Sequence, residues 1–224
     1  MKNVINFTCI VLFMTCSYLV NAQIPEKEKQ YLIDFNKSTV GEQWQRKWDL
    51  KSDPATWHGV EVANGHVVGL KLYRNNLTGA IPDGISALSH LKSLNLAFNV
   101  IEGELPKDLF SLQKLSSLRL EMNKISGTLP QDFSKMTALE ELSMFNNLFQ
   151  GEIPDGIGEI SNLKILNLSS NYLEGSLPKS LEKLEKLERL ELFGNKLAGA
   201  IEVDLGRLVN LREIILSYNK FEGD

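Results

Sequence analysis

From His66 onward the chain repeats itself every 24 residues, and a unit of that length cannot bury its apolar face alone. Asparagine recurs at 75, 99, 123, 147, 171, 195 and 219, and glycine follows four residues later at 79, 103, 127, 151, 175, 199 and 223. Proline stands at 82, 106, 130, 154 and 178, and Glu202 takes its place in the next unit. The apolar positions keep the same clock. Val67, Leu70, Leu72, Leu77, Ile81, Ile85 and Leu88 of the first repeat are answered in the fourth by Leu139, Leu142, Met144, Phe149, Ile153, Ile157 and Ile160. Each repeat therefore supplies one layer of core, and stacked layers close what a single one leaves open.

Local chemistry follows from the period. LKL, LNL, LRL, LSM, LNL, LEL and IIL alternate apolar and other residues, which predicts short strands with one buried face lying parallel in one sheet. The recurring asparagine carries donors and acceptors enough to satisfy backbone groups where the coil bends. Glycine allows a positive φ or close packing there, and proline stops a helix from growing through the return arm. The segment SLEKLEKLERLELF, 180–193, has the charges and leucines of an exposed helix. The register nevertheless runs through it undisturbed, with Leu181, Leu184, Leu187, Leu190 and Leu192 on core columns. We read it as coil with a solvated outer face.

Residues 1–22 have a positive amino end, a short apolar run and small residues before Gln23, the pattern of a secretory signal peptide. The run is short of the ~20 residues a spanning helix needs and no later segment qualifies, so no membrane insertion is expected after its removal. Both cysteines, Cys9 and Cys16, lie inside it. The remaining chain thus enters an oxidising compartment with no thiol for a disulfide, a nucleophile or a metal. Losing Lys2 takes the formal charge from −4 to −5, against the basic face that nucleic acid requires.

The histidines are the candidates for chemistry. His58, in DPATWHGVEV, has no partner base or nucleophile in evidence and is assigned to solvent. His66 and His90 share a repeat column at a spacing of about 5 Å that allows stacking, but both are read as solvated loop histidines. Zinc wants a third protein ligand, and the column continues through Lys114, Ala138 and Asn162, which offer none. No metal, cofactor or catalytic residue is expected.

The pattern LxxLxLxxNxLxGxIPxxLxxL, as in LKSLNLAFNVIEGELPKDLFSL and LKILNLSSNYLEGSLPKSLEKL, resembles the plant-type, 24-residue subfamily of leucine-rich repeat proteins over residues 66–224, about seven repeats with the last incomplete. The resemblance implies an α/β repeat solenoid with a parallel concave sheet, an irregular convex side and a helical amino-terminal cap, serving as a secreted or cell-surface recognition module with no catalysis of its own. Residues 23–65 resemble the family's cap. EKEKQYLIDFNKSTVGEQW opens as a short amphipathic helix with Tyr31, Leu32 and Phe35 on one face. WDLKSDPATWHGVEVANGHVVGLKL follows the cap ending with Ala55 and Val62 where plant members carry cysteines, a cysteine-free arrangement similar to bacterial members. The cap is then expected to rest on Trp44, Trp48, Trp57 and Val60, with Gly59 turning the chain into the first strand and ANGH, 63–66, as a hairpin turn.

Positions between and just after the strand leucines are free of core duty and available for a protein or peptide ligand. Tyr73, Arg74, Phe98, Met122, Phe145, Phe193 and Tyr218 put aromatic, methionine and arginine side chains there, the types enriched at interface centres. Glu121, Asn146 and Glu191 are read as polar members of the same surface. Two further readings accompany the binding module: an inhibitor of a secreted hydrolase that meets a basic cleft through Glu121 and Glu191, and an ectodomain segment of a larger cell-surface receptor. LSYNKFEGD stops within a repeat without a polar closing cap, so the Leu216 layer is expected to face solvent, an end-to-end neighbour or a carboxy-terminal partner.

Overall fold

The computed structural model describes residues 24–222. The leader expected over 1–22 lies outside the described residues, as does Gly223. The strands Val60–Ala63, His66–Lys71, Ser93–Asn95, Ser117–Arg119, Glu141–Ser143, Ile165–Asn167, Arg189–Glu191 and Glu213–Ile215 form one eight-stranded sheet in chain order. The first two make an antiparallel hairpin whose turn residues Asn64 and Gly65 have φ 51° and 72°, the doubly left-handed geometry of a two-residue hairpin loop. All later pairings are parallel, with Leu70, Leu94, Leu118, Leu142, Leu166, Leu190 and Ile214 opposite one another.

That register carries the energetics. The six leucines of this column are fully buried, while Ile214 in the last coil is 38% exposed. Burying a leucine contributes about 1.5–3 kcal/mol, so each coil is stabilised chiefly by its neighbours. Leu181, Leu184, Leu187, Leu190 and Leu192 are all fully buried, and 180–193 holds a 3-10 turn, Lys179–Lys183, then the strand Arg189–Glu191. A continuous helix would turn several of these leucines to water. Similar 3-10 turns, Ile85–Ala87, Lys107–Ser111, Asp155–Glu159 and Leu205–Arg207, recur on the return arms.

A second parallel sheet, which the spacing does not single out, runs along another flank through Thr78–Gly79, Val100–Glu104, Lys124–Thr128, Leu148–Glu152, Tyr172–Gly175, Lys196–Ala200 and Lys220–Glu222. The repeat glycines lie within these strands: Gly103, Gly127, Gly151, Gly175 and Gly199 have φ between 77° and 91°. At Gly127 a Cβ would also sit 2.9 Å from Glu104 Cγ, so the column is fixed by backbone angle and by space.

Between the sheets the asparagines form a ladder. The Asn147 side-chain carbonyl accepts the Ile125 amide of the preceding coil at 3.0 Å, and Nδ2 donates to Leu120 O at 3.0 Å and Met144 O at 3.1 Å. The same pattern holds at Asn99, Asn123, Asn171 and Asn195, which leaves the buried bends hydrogen-bonded. The cap occupies the first rung: Asn75 Oδ1 accepts Arg46 N–H at 2.7 Å and Nδ2 donates to Arg46 O at 3.3 Å.

The cap helix, Glu26–Ser38, buries Tyr31, Leu32 and Phe35 as its periodicity predicts, and with them Glu28 and Asn36. Trp44 stands edge-on to Phe35 and to Trp48, with ring centres 6.1 and 4.8 Å apart, and Trp48 stacks on Trp57 at 4.8 Å. Each indole N–H is satisfied, Trp44 by Thr39 O at 2.8 Å, Trp48 by His58 O at 2.8 Å and Trp57 by Asp49 O at 2.9 Å. Val60 is buried beside them. Gly59, at φ 79°, brings its backbone so close to Lys71 that a Cβ would lie 2.1 Å from the Lys71 carbonyl oxygen.

Candidate functional face

The inter-coil hydrogen bonds continue past the strand ends, through Arg74 N–H to Ala97 O, Phe98 N–H to Glu121 O and Met122 N–H to Phe145 O. They widen the eight-stranded surface by one column. In that column Arg74, Phe98, Met122, Asn146, Ser170 and Tyr218 all have φ between 51° and 58°, and Gly194 has 66°. A left-handed residue costs roughly 1–2 kcal/mol when it carries a Cβ, least for asparagine, so six coils hold strained backbone at one repeat position. The ladder asparagine next in sequence holds the bend. Alternation alone does not reveal this.

The structure divides the expected row into three parts. At one end Tyr73, 44% exposed, meets Phe98 edge-on with ring centres 5.2 Å apart, and the Arg74 guanidinium lies 5.8 Å over the Phe98 ring. At the other end Phe193 and Tyr218 repeat the relation at 4.9 Å, and Tyr218 is 78% exposed. Between them polar side chains pair with one another around half-buried Met122 and Phe145. Asn146 Nδ2 lies 2.7 Å from Met122 Sδ, Asn167 Nδ2 donates to Glu191 Oε2 at 2.7 Å, and Arg189 stands 3.8 Å from Glu191 Oε1. Phe98, Met122 and Phe145 are half-buried.

Glu121 is a correction. Expected at the surface, it is 1% exposed, and its Oε1 accepts Arg119 Nε at 2.9 Å and Nη2 at 2.6 Å. Its Oε2 is buried without a hydrogen-bond partner among the described residues. Arg119 also lies 3.7 Å from Glu141 Oε1. Burial works to lower the guanidinium pKa, but the Glu121 hydrogen bond and the nearby charges of Glu121 and Glu141 raise it on balance. The pair is a neutralised unit that presents only Arg119 to solvent. Ala97 and Ser169, at the repeat position of Glu121, are buried as well, as is Ser143 at that of Arg119.

Removing one member of such a pair leaves the other uncompensated. Arg119→Ala is expected to cost about 2–3 kcal/mol, less than a fully buried pair because Arg119 is partly solvated. Adding Glu121→Leu is expected to recover most of it. Denaturant titration of both single variants and the double variant reads the coupling; additive losses would show that the two do not act as a unit.

The histidines are placed differently from expectation. His58 is half-buried in the cap, with its pKa lowered by burial first and by Arg46 second. His66 and His90 do stack, with ring centres 3.8 Å apart and planes 16° from parallel. A third donor group stands beside them and comes from outside the repeat column: Glu28 of the cap helix accepts from His66 Nδ1 at 2.6 Å and from Val67 N–H at 2.7 Å. Its spacing i, i+4, i+7 with Leu32 and Phe35 was the available signal, a carboxylate on the helix's buried face.

The leucine-rich repeat region model matches residues 66–222. No curated protein matches the sequence. Among solved structures, the chain is similar to PEPR1–AtPEP1, with 25% identity over 88% of this chain and 29% of that one and a TM-score of 0.80. It is also similar to the Arabidopsis receptor kinase HAESA in complex with the peptide hormone IDA and the co-receptor SERK1, with 28% identity over 87% of this chain and 34% of that one and a TM-score of 0.78. It is also similar to a pollen receptor kinase 3 structure, with 28% identity over 86% of this chain and 95% of that one and a TM-score of 0.74.

Proposed function

Because the chain belongs to the leucine-rich repeat family, we propose that it is an extracellular, non-catalytic module that binds an extended peptide or peptide-like loop along its eight-stranded face. The observation that carries this is the pair of aromatic clamps, Tyr73 with Phe98 and Phe193 with Tyr218, at opposite ends of a track of paired polar side chains. They lie about five strand spacings apart, roughly 24 Å, which an extended segment of roughly seven residues spans. Aromatic side chains at such positions are the usual affinity centres, and the Arg119–Glu121 and Asn167–Glu191 groups between them suit backbone and polar side chains.

Several observations support the setting. The signal-like pattern of residues 1–22 fits export. Among the described residues no helix is long and apolar enough to cross a membrane. HAESA is a receptor kinase seen with a peptide hormone and a co-receptor, and this chain is taken to share the peptide-binding mode as a free protein or as a receptor ectodomain segment. Leu211, Ile214 and Leu216, half-covered or exposed in the last coil, offer a second contact to whatever stacks there. The inhibitor reading loses support because Glu121 faces Arg119 rather than a partner.

Selection of phage-displayed twelve-residue peptides tests the proposal. The wild-type chain is expected to enrich sequences with apolar residues about seven positions apart. Phe98→Ser and Phe193→Ser are each expected to weaken the selected peptides by about 30-fold, a loss of about 2 kcal/mol. Equal enrichment by both variants and wild type would remove this face from the binding.

A further inference from the structure

We propose that Glu28, His66 and His90 form a binding site for a divalent transition-metal ion of the Zn2+ type, an ion that would bolt the cap to the first two coils. One ligand atom from each of the three residues lies within 4.8 Å of those of the others. They come from three separate parts of the chain: the cap helix, the first repeat strand and the turn before the second repeat strand. Two imidazole nitrogens and a carboxylate oxygen, with water completing the sphere, are a three-ligand set of the kind zinc accepts. The same set is poor for Ca2+ or Mg2+, which ask for oxygen ligands.

The carboxylate is prepared for the task. Glu28 is fully buried, and its Oε2 is fixed by the Val67 amide at 2.7 Å, an anchor of the kind that orients metal-binding carboxylates. Its Oε1 is held by His66 Nδ1 at 2.6 Å, a contact an entering ion replaces. Tetrahedral bonds of 2.0–2.1 Å require donor atoms about 3.3 Å apart. Rotation of the two partly exposed rings out of their 3.8 Å stack supplies that convergence without moving the backbone. Lys27 and Lys114 stand near His90 and oppose a cation, so they moderate the affinity without occupying the donors. The result is a crosslink where the cap has no cysteine to make one.

The test is titration of the full chain, free of any histidine tag, with Zn2+ by calorimetry and thermal unfolding, with Ca2+ and Mg2+ as controls. One Zn2+ per chain is expected, with the unfolding midpoint raised by about 5–10 °C at a hundredfold excess over Kd. His90→Ala, at the rim, is expected to keep the metal-free midpoint of the wild type and to weaken Zn2+ binding by at least about tenfold. His66→Ala repeats the affinity loss from the other ring. Absence of saturable one-to-one binding, an affinity unchanged in His90→Ala, or an equal response to Ca2+ would each overturn the site. None of these results depends on the peptide-binding face.

Discussion

Replacing Asn147 by alanine is expected to lower stability by about 3–5 kcal/mol, which in a chain of this length is a fall in unfolding midpoint of roughly 8–15 °C. Asn147 is 5% exposed and serves three buried backbone groups, Ile125 N–H, Leu120 O and Met144 O. Alanine strands all three, and a buried group left unpaired costs about 1–3 kcal/mol. Asn147→Asp keeps the shape but turns carboxylate oxygens toward two carbonyls, so it is expected to be no milder at neutral pH. Its folded-state pKa would be raised, so stability is recovered as pH falls and the group takes a proton. A loss under 1 kcal/mol in denaturant titration would mean that water replaces the amide and that the ladder is not a structural spine. Because coils contact only neighbours, hydrogen exchange is expected to rise first in the coils beside 147.

Trp44→Ala is expected to cost a similar 3–5 kcal/mol, but at the other end of the molecule. Trp44 is 2% exposed, sits between Phe35 and Trp48, and closes its indole N–H on Thr39 O. Its loss opens a cavity where the helix, the tryptophan stack and the first coil meet. The loss is local: faster exchange over 26–60 and a weaker near-ultraviolet signal from the remaining tryptophans, with the coils around Asn147 and Asn171 still protected. Uniform loss of protection along the chain would show instead that cap and coils unfold as one cooperative unit.

The fold was legible because one column type repeats. Leu94, Leu118, Leu142, Leu166 and Leu190 are apolar in phase and end fully buried, and in-phase asparagine, glycine and proline leave little freedom about the bends. The cap was legible from large apolar residues with no other work to do, Trp44, Trp48 and Trp57. The exposed side chains of the candidate site were legible only at its rims. Period two places Tyr73 and Phe193 outward, and they are outward. It places Glu121 outward too, and there a neighbour two residues back overrules it: Arg119 folds onto the carboxylate and carries it out of water. Strand alternation says which way a side chain starts, not what lies down over it. The backbone angles of Arg74, Phe98 and Met122 left no trace in residue type, since glycine appears in that column only at 194. Glu28 was missed because its partners, His66 and Val67, belong to the repeats and no period connects a cap to a coil.

The asparagine rungs within the coils are made to one pattern, and the Asn75–Arg46 handshake ties the first of them to the cap by bonds of its own. A junction so uniform is indifferent to how many units stand on either side of it. Whole 24-residue modules can then be gained or lost with the joints intact, and the distance between the two aromatic clamps shifts in increments of about 4.8 Å. The molecule is in effect a graduated gauge, whose span is chosen by counting turns rather than by redesigning any of them.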